Sequence, residues 1–238
     1  MLLKFFLQFI LKILAILVLK KYKPRVIGLT GSVGKTSTKE AIYAVLSSKF
    51  QVRRNIKNYN NEIGVPLTIL GLESGNRNIL EWLKNFLKAI KIILIRSQYP
   101  EILVLEMGAD RPGDIRYLTN FVPVDVGLIT AIGEVPVHIE FFKTPIQIAR
   151  EKSYLVQKLS PTGKAILNAD DKLVLEMENK TKAQVLTYGF SQRADLKATD
   201  IIFTNSGQPS LNFKLNFEGK VVPARLPGIL GVHQIYSA

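Results

Sequence analysis

The sequence predicts an α/β protein: a mostly parallel sheet flanked by helices, with a β-rich C-terminal part and a hydrophobic helix at the N-terminus. Three observations lead there. From Pro24 onward, short apolar runs alternate with stretches of helical spacing, the pattern of parallel strands covered by crossover helices. A glycine-bearing turn over residues 30–34 joins the first of those runs to a helix that opens Lys35-Thr36-Ser37. From Gln184 to Arg225 the stretch is β-rich.

Composition bounds the problem. The 238 residues suffice for one large α/β domain or two small ones, and a hydrophobic content of 47% fills a core. With no cysteine there is no disulfide, thiolate metal site or cysteine nucleophile, which fits the reducing cytoplasm. A formal charge of +13 attracts polyanions such as nucleotides, anionic headgroups or diphosphate-linked sugars. Zinc spacing, single-strand-binding motifs and basic runs interleaved with aromatics are all missing, so no nucleic-acid partner is expected.

Met1 to Leu19 is almost wholly apolar and runs into Lys20, Lys21, Lys23 and Arg25, so residues 1–23 read as a membrane-directed helix. Lys4, Gln8 and Lys12 form one polar stripe at i, i+4 and i+8. A spanning helix needs about 20 apolar residues, and two lysines interrupt this one. Spanning the bilayer, lying in its surface and packing as a core or docking helix are therefore three open readings. No small-residue cleavage site follows, which argues against a signal peptide. The basic cluster favours a cytoplasmic main domain at the inner face of the membrane.

The remaining elements follow in order. Val26 to Leu29 is a strand, Lys39 to Ser48 a helix, and Phe50 to Arg53 a second strand before a polar asparagine-rich loop. Ile79 to Ile95 is an amphipathic basic helix, read as packed on the sheet with a solvated lysine face in preference to a second membrane contact. Ile102 to Leu105 is a buried strand ending at Glu106, and Val126 to Thr130 another. A helix over 144–159 and a strand at Ala165 to Leu167 lead to Asn168-Ala169-Asp170-Asp171, and a final helix starts after Gly231.

The strand, glycine loop and helix around residues 30–36 are the context of an ATP phosphate loop. The backbone N–H groups of Gly31, Ser32, Val33 and Gly34 are placed to cradle phosphates, with Ser37 following at the helix start. Lys35 is placed for the β- and γ-phosphates and the Thr36 hydroxyl for Mg²⁺. The strict phosphate-loop pattern fails because the leading glycine is Gly28, one position early.

The segment Gly28 to Ser37 resembles the ATP loop of the Mur ligases, and its Gly31-Ser32 is similar to the branch that adds D-alanyl-D-alanine to a UDP-N-acetylmuramoyl-tripeptide. Asn58 to Pro66, Glu106 to Ile115, His138 to Phe142, Ala149 to Lys152 and Asn168 to Asp171 resemble further family segments in the same order. The resemblance implies that residues 24–238 form the family's central ATP-binding domain. It implies an amide ligase of peptidoglycan precursor synthesis: ATP phosphorylates a UDP-muramoyl-peptide carboxylate, and an amino acid or dipeptide amine attacks the acyl phosphate. It also implies ATP and Mg²⁺ as cofactors, with Thr36, Glu106, His138 and a carbamylated Lys152 around the metal. Lys35, Lys152 and His138 become catalytic, Asn168 and His233 nucleotide-binding, and Asn58, Asn60, Asn61 and Arg150 substrate-binding.

Each residue keeps a plainer alternative. Glu106 fits a strand-end carboxylate paired with lysine, His138 a surface histidine, the asparagines a polar turn, Asn168 to Asp171 a turn, and Arg150 a solvated helix charge. In place of the family's UDP-sugar domain the apolar helix is expected, and the family's closing C-terminal domain is not expected within residues 1–238. A truncated product, or one completed by a partner, is expected. A membrane-attached ATP-binding protein without turnover and a ligase of the superfamily for another acid are the competing functions.

Overall fold

The apolar runs become strands of one sheet in a computed structural model that describes residues 2–56, 58–133, 141–205, 207–228 and 231–237. Strands β1 (Arg25–Thr30), β2 (Val52–Arg54), β3 (Ile102–Glu106), β4 (Val126–Ile129), β5 (Lys164–Asn168) and β6 (Gln184–Gly189) run parallel in the order β2-β3-β1-β4-β5-β6. A short parallel pairing joins β7 (Leu196–Thr204) to β6, and β8 (Ser210–Phe217) and β9 (Lys220–Pro227) extend the sheet antiparallel. The sheet is thus mostly parallel with a β-rich C-terminal extension, as the sequence predicts. The chain order reverses direction at β1, which has β3 on one side and β4 on the other. Open α/β sheets bind ligands beyond the carboxyl ends of the strands at such a point.

Helices α1 (Leu2–Tyr22), α2 (Lys35–Ser47), α3 (Gly64–Leu70), α4 (Ile79–Leu94), α5 (Asp114–Thr119), α6 (Pro145–Gln157) and α7 (Lys172–Leu175) surround the sheet, and a 3₁₀ turn spans Val232–Ser237. The sequence gives no sign of α3 or α5. All seven residues of α3 are buried, so it lacks the one-sided apolar period that marks a helix, and α5 is too short to develop one. One core cluster joins Val26, Leu103 and Leu105 to α1, α3, α4 and α6, while Leu29, Val104 and Leu128 pack with Ile42 and Leu46 of α2 on the other face. Gly28 is explained here. A Cβ on it would come 3.0 Å from Leu155 of α6 and 3.1 Å from Val124, so its role is strand–helix packing and not phosphate binding.

The N-terminal helix packs one of its apolar faces into the protein, as the core-helix reading has it. Leu11, Ala15, Val18 and Leu19 enter the core. The polar stripe also faces the protein: Lys4 pairs with Glu62 at 3.0 Å, Gln8 donates to the same carboxylate at 2.8 Å, and Lys12 lies 4.9 Å from the Tyr117 ring centroid. Among the described residues no helix is long and apolar enough to cross a membrane, so the spanning reading is dropped. Helix α4 packs against the core with its lysines solvated, as expected, but much of its apolar face is exposed too. Asn85 and Ala89 face inward, whereas Leu80, Leu83, Leu87 and Leu94 are exposed together with Lys88 and Lys91.

Candidate active site

The loop after β1 is tied to the residues that follow β4 by short hydrogen bonds. Ser32 N donates to Ala131 O at 2.6 Å, and Thr130 Oγ1 donates to Val33 O at 2.6 Å. Gly31 is required by close approach, because a Cβ there would overlap Thr130 Oγ1. Gly34 adopts φ +84° as the residue before α2, a left-handed conformation that suits glycine and turns the chain into the helix. Lys35 Nζ donates to Ser32 O at 3.2 Å, folding its ammonium over the loop. Burial lowers the Lys35 pKa, against the pull of Glu106 and Asp110.

Glu106, at the end of β3, is where three segments converge. Its Oε2 accepts from Thr36 Oγ1 at 3.1 Å and lies 3.6 Å from Lys39 Nζ, and its Oε1 accepts from Asn60 Nδ2 at 3.0 Å. Its backbone is fixed by Asn55, whose Oδ1 accepts from Glu106 N at 2.6 Å and whose Nδ2 donates to Glu106 O at 3.3 Å. Asn55 and Lys39 are almost fully buried, and sequence reasoning singles out neither. A lysine four residues into a helix and an asparagine in a polar loop look like surface residues until the fold closes over them.

Lys152, buried on α6, feels the charges of Lys35, Asp110 and Glu106. Burial is the largest influence on it and the charge of Lys35 adds to it, so its pKa falls to about 7 despite Glu151, Asp110 and Glu106. The neighbouring Glu151 accepts from Gly113 N and Ile115 N, each at 2.8 Å, which ties α6 to the start of α5.

The other predicted residues divide. Asn168 Oδ1 accepts from Asp170 N at 2.9 Å, and Asn168 and His233 line one open cleft of about 1020 Å³ together with Val33, Gly34 and Ser37. Asp171 accepts from Ile132 N at 2.7 Å and Asp170 from Tyr236 OH at 3.0 Å, so this turn both braces the cleft and lines it. Thr38, beside the cleft, keeps a buried Oγ1 with no hydrogen-bond partner among the described residues. Asn61 Oδ1 accepts from Gly64 N at 2.9 Å and starts α3, and Asn58 is exposed. Arg150 is exposed and lines shallower hollows beside α6, apart from the cleft. His138, with Glu140, lies outside the described residues.

Mg²⁺ takes oxygen ligands, characteristically one or two carboxylates with substrate phosphates and water. Among the described residues no three His, Cys, Asp or Glu side chains cluster as a self-sufficient metal cage. Thr36 Oγ1 and the Glu106 carboxylate, adjacent beside the loop, fit the smaller protein share that a nucleotide-borne Mg²⁺ needs.

The fold and this convergence define a phosphate-loop nucleotide-binding domain of the α/β class. Comparison with known proteins narrows the class: residues 29–238 match the family model of the Mur ligase middle domain, and the chain belongs to that family. A UDP-N-acetylmuramoyl-tripeptide–D-alanyl-D-alanine ligase of Bacillus subtilis is 32% identical over 189 residues, which is 79% of this chain and 35% of the relative. Among solved structures, MurF from Acinetobacter baumannii superposes with a TM-score of 0.77 at 27% identity over 97% of this chain and 44% of that one. MurF ligase from Thermotoga maritima in complex with ADP gives 0.75 at 28% identity, over 97% and 47%. The chain therefore spans about a third of the length of the curated relative and under half of the solved ones.

Proposed function

We propose that this chain is the ATP-binding domain of an amide ligase of peptidoglycan precursor synthesis, activating the carboxylate of a UDP-muramoyl-peptide as an acyl phosphate. The observation that carries the reading is the meeting of Thr36, Lys39 and Asn60 on Glu106 beside the phosphate loop. Phosphoryl transfer between two anions needs cations placed before the reaction, and positioning plus electrostatics is most of the catalysis. Lys35 neutralises the β- and γ-phosphates, while Gly31 to Gly34 and Ser37 orient them with backbone and hydroxyl donors. Thr36 and Glu106, with His138, are assigned to hold Mg²⁺, which when bound supplies charge neutralisation on the phosphates.

Lys152 is assigned the carbamate. A pKa of about 7 leaves a large fraction of its amine neutral, the form that reacts with CO₂, and the carbamate replaces a cation that repels metal with an anion that attracts it. Asn168 and His233 are assigned to the adenosine part of ATP, Asn60 to the acid substrate's side of Glu106, and Asn58, Asn61 and Arg150 to the outer substrate contacts. The amine, an amino acid or dipeptide, and the groups that deliver it are assigned to a partner or to sequence outside residues 1–238. Residues 1–23 are assigned to the inner face of the cell membrane and residues 24–238 to the cytoplasmic ATP-binding part.

Calorimetric titration with ATP tests the nucleotide half, and trapping with hydroxylamine in the presence of a UDP-muramoyl tripeptide tests the acid half. Saturable ATP binding and a tripeptide-dependent hydroxamate are expected. ATP binding without hydroxamate would instead support a membrane-attached nucleotide-binding protein with no turnover.

A further inference from the structure

A helix that lies against water turns its apolar residues inward, and α1 does the reverse with half of them. Phe5, Phe6 and Phe9 are 63%, 63% and 59% exposed, and Ile13 and Leu17 continue the outward stripe. Its polar residues Lys4 and Gln8 are spent on Glu62. The outward face of α4 repeats the pattern. Leu80, Leu83, Leu87, Ile90 and Leu94 recur every three or four residues and are 44–76% exposed. The two helices touch at their C-terminal ends, where Lys21 Nζ donates to Ile92 O and Ile93 O, both at 2.9 Å. Their inner faces enter the same core cluster on one side of the sheet, so both apolar faces look outward from that side.

Charge selects the occupant. α1 contains no acidic residue, and the single one in α4, Glu81, is paired with Lys84 at 2.8 Å. Exposed Lys20, Lys23, Lys88 and Lys91 flank the stripes. Protein interfaces are depleted in lysine, whereas anionic headgroups attract it, each lysine near the surface adding to membrane affinity. No described helix is long and apolar enough to cross a bilayer, which leaves attachment in the plane of the surface. We propose that α1 and α4 together form a docking surface for an anionic lipid bilayer. Phe6, Phe9, Leu83 and Leu87 enter the acyl boundary, and Lys20, Lys84, Lys88 and Lys91 meet headgroup phosphates. The inference rests on the membrane placement of residues 1–23 above and adds the second helix.

The test is co-sedimentation of the 238-residue protein with vesicles of phosphatidylcholine alone or mixed with phosphatidylglycerol. Binding is expected to the mixed vesicles, weakened by salt, and little to the neutral ones. The pair Phe6→Ser/Phe9→Ser, the pair Leu83→Ser/Leu87→Ser and the charge reversal K84E/K88E/K91E should each lower partition at least about tenfold. All seven sites are on the surface, so circular dichroism and ATP affinity should stay at wild type; if a serine pair unfolds the chain, the charge reversal still decides. Wild-type protein that stays off anionic vesicles overturns the membrane placement itself. Loss of binding in the α1 variant with none in the two α4 variants keeps that placement and overturns the two-helix surface. A wild-type dimer that Leu83→Ser/Leu87→Ser dissociates, with vesicle binding unchanged, assigns the α4 stripe to a second copy and also overturns it.

Discussion

Lys152 is buried, and half-buried Lys35 is near enough for its charge to act on it, so keeping an ammonium at Lys152 is costly. The folded chain holds Lys152 at a pKa of about 7 against an ordinary 10.5, mainly through burial and the charge of Lys35. Between those values the unfolded chain binds more protons than the folded one, so this lysine's contribution to stability improves as pH rises from 7 towards 10.5. Below pH 7 both states are protonated and the penalty of burying the charge is complete. Lys152→Met is therefore expected to raise the unfolding temperature at about pH 6 and to change it far less at about pH 10, measured by thermal denaturation in CO₂-free buffer. Lys35→Ala should reduce ATP affinity at least about tenfold, read by calorimetry, because on the proposed reading it removes the one charged side chain that residues 30–36 offer to the phosphates.

Elements determine which of these residues can be read in advance. The phosphate loop is legible because it sits in a local pattern of strand, turn and helix, whereas Glu106 and Lys152 stand out only through the family resemblance of the segments that carry them. Asn55 and Lys39 are legible in neither way, since their meeting with Glu106 depends on β2, α2 and β3 packing side by side. Asn61, a substrate residue by its sequence context, holds the first turn of α3, a use of asparagine that the sequence cannot distinguish from ligand contact. The loop's geometry carries its own expectation. Gly31→Ala drives a methyl into Thr130 and should both destabilise the protein and abolish tight ATP binding, whereas Gly133→Ala, with none of the described residues within 4 Å, costs the strain of its left-handed backbone, about 1 kcal/mol. Equilibrium unfolding of the two variants measures the contrast.

Across the whole molecule, the parallel sheet and its C-terminal β-rich extension are predictable from the alternation of apolar runs, and the orientation of α1 is not. Its sequence is apolar almost all round, so periodicity does not say which face is covered; the salt bridge of Lys4 to Glu62 and the burial of Leu11 decide it. Leu11→Ala should cost about 2–5 kcal/mol in denaturant unfolding, as a fully buried leucine does, and Phe9→Ser well under about 1 kcal/mol. Such a difference makes the helix part of the folded core on one side and a free apolar surface on the other.

The proposed chemistry turns on Glu106 and Thr36, beside the loop, receiving the Mg²⁺ that accompanies ATP. Calorimetric titration of ATP, with and without Mg²⁺, into the wild type and Glu106→Gln reads this out. Mg²⁺ is expected to strengthen ATP binding to the wild type, and Glu106→Gln to lose most of that gain while keeping its Mg²⁺-free affinity. An equal Mg²⁺ gain in both proteins would contradict the assignment of Glu106 to the metal.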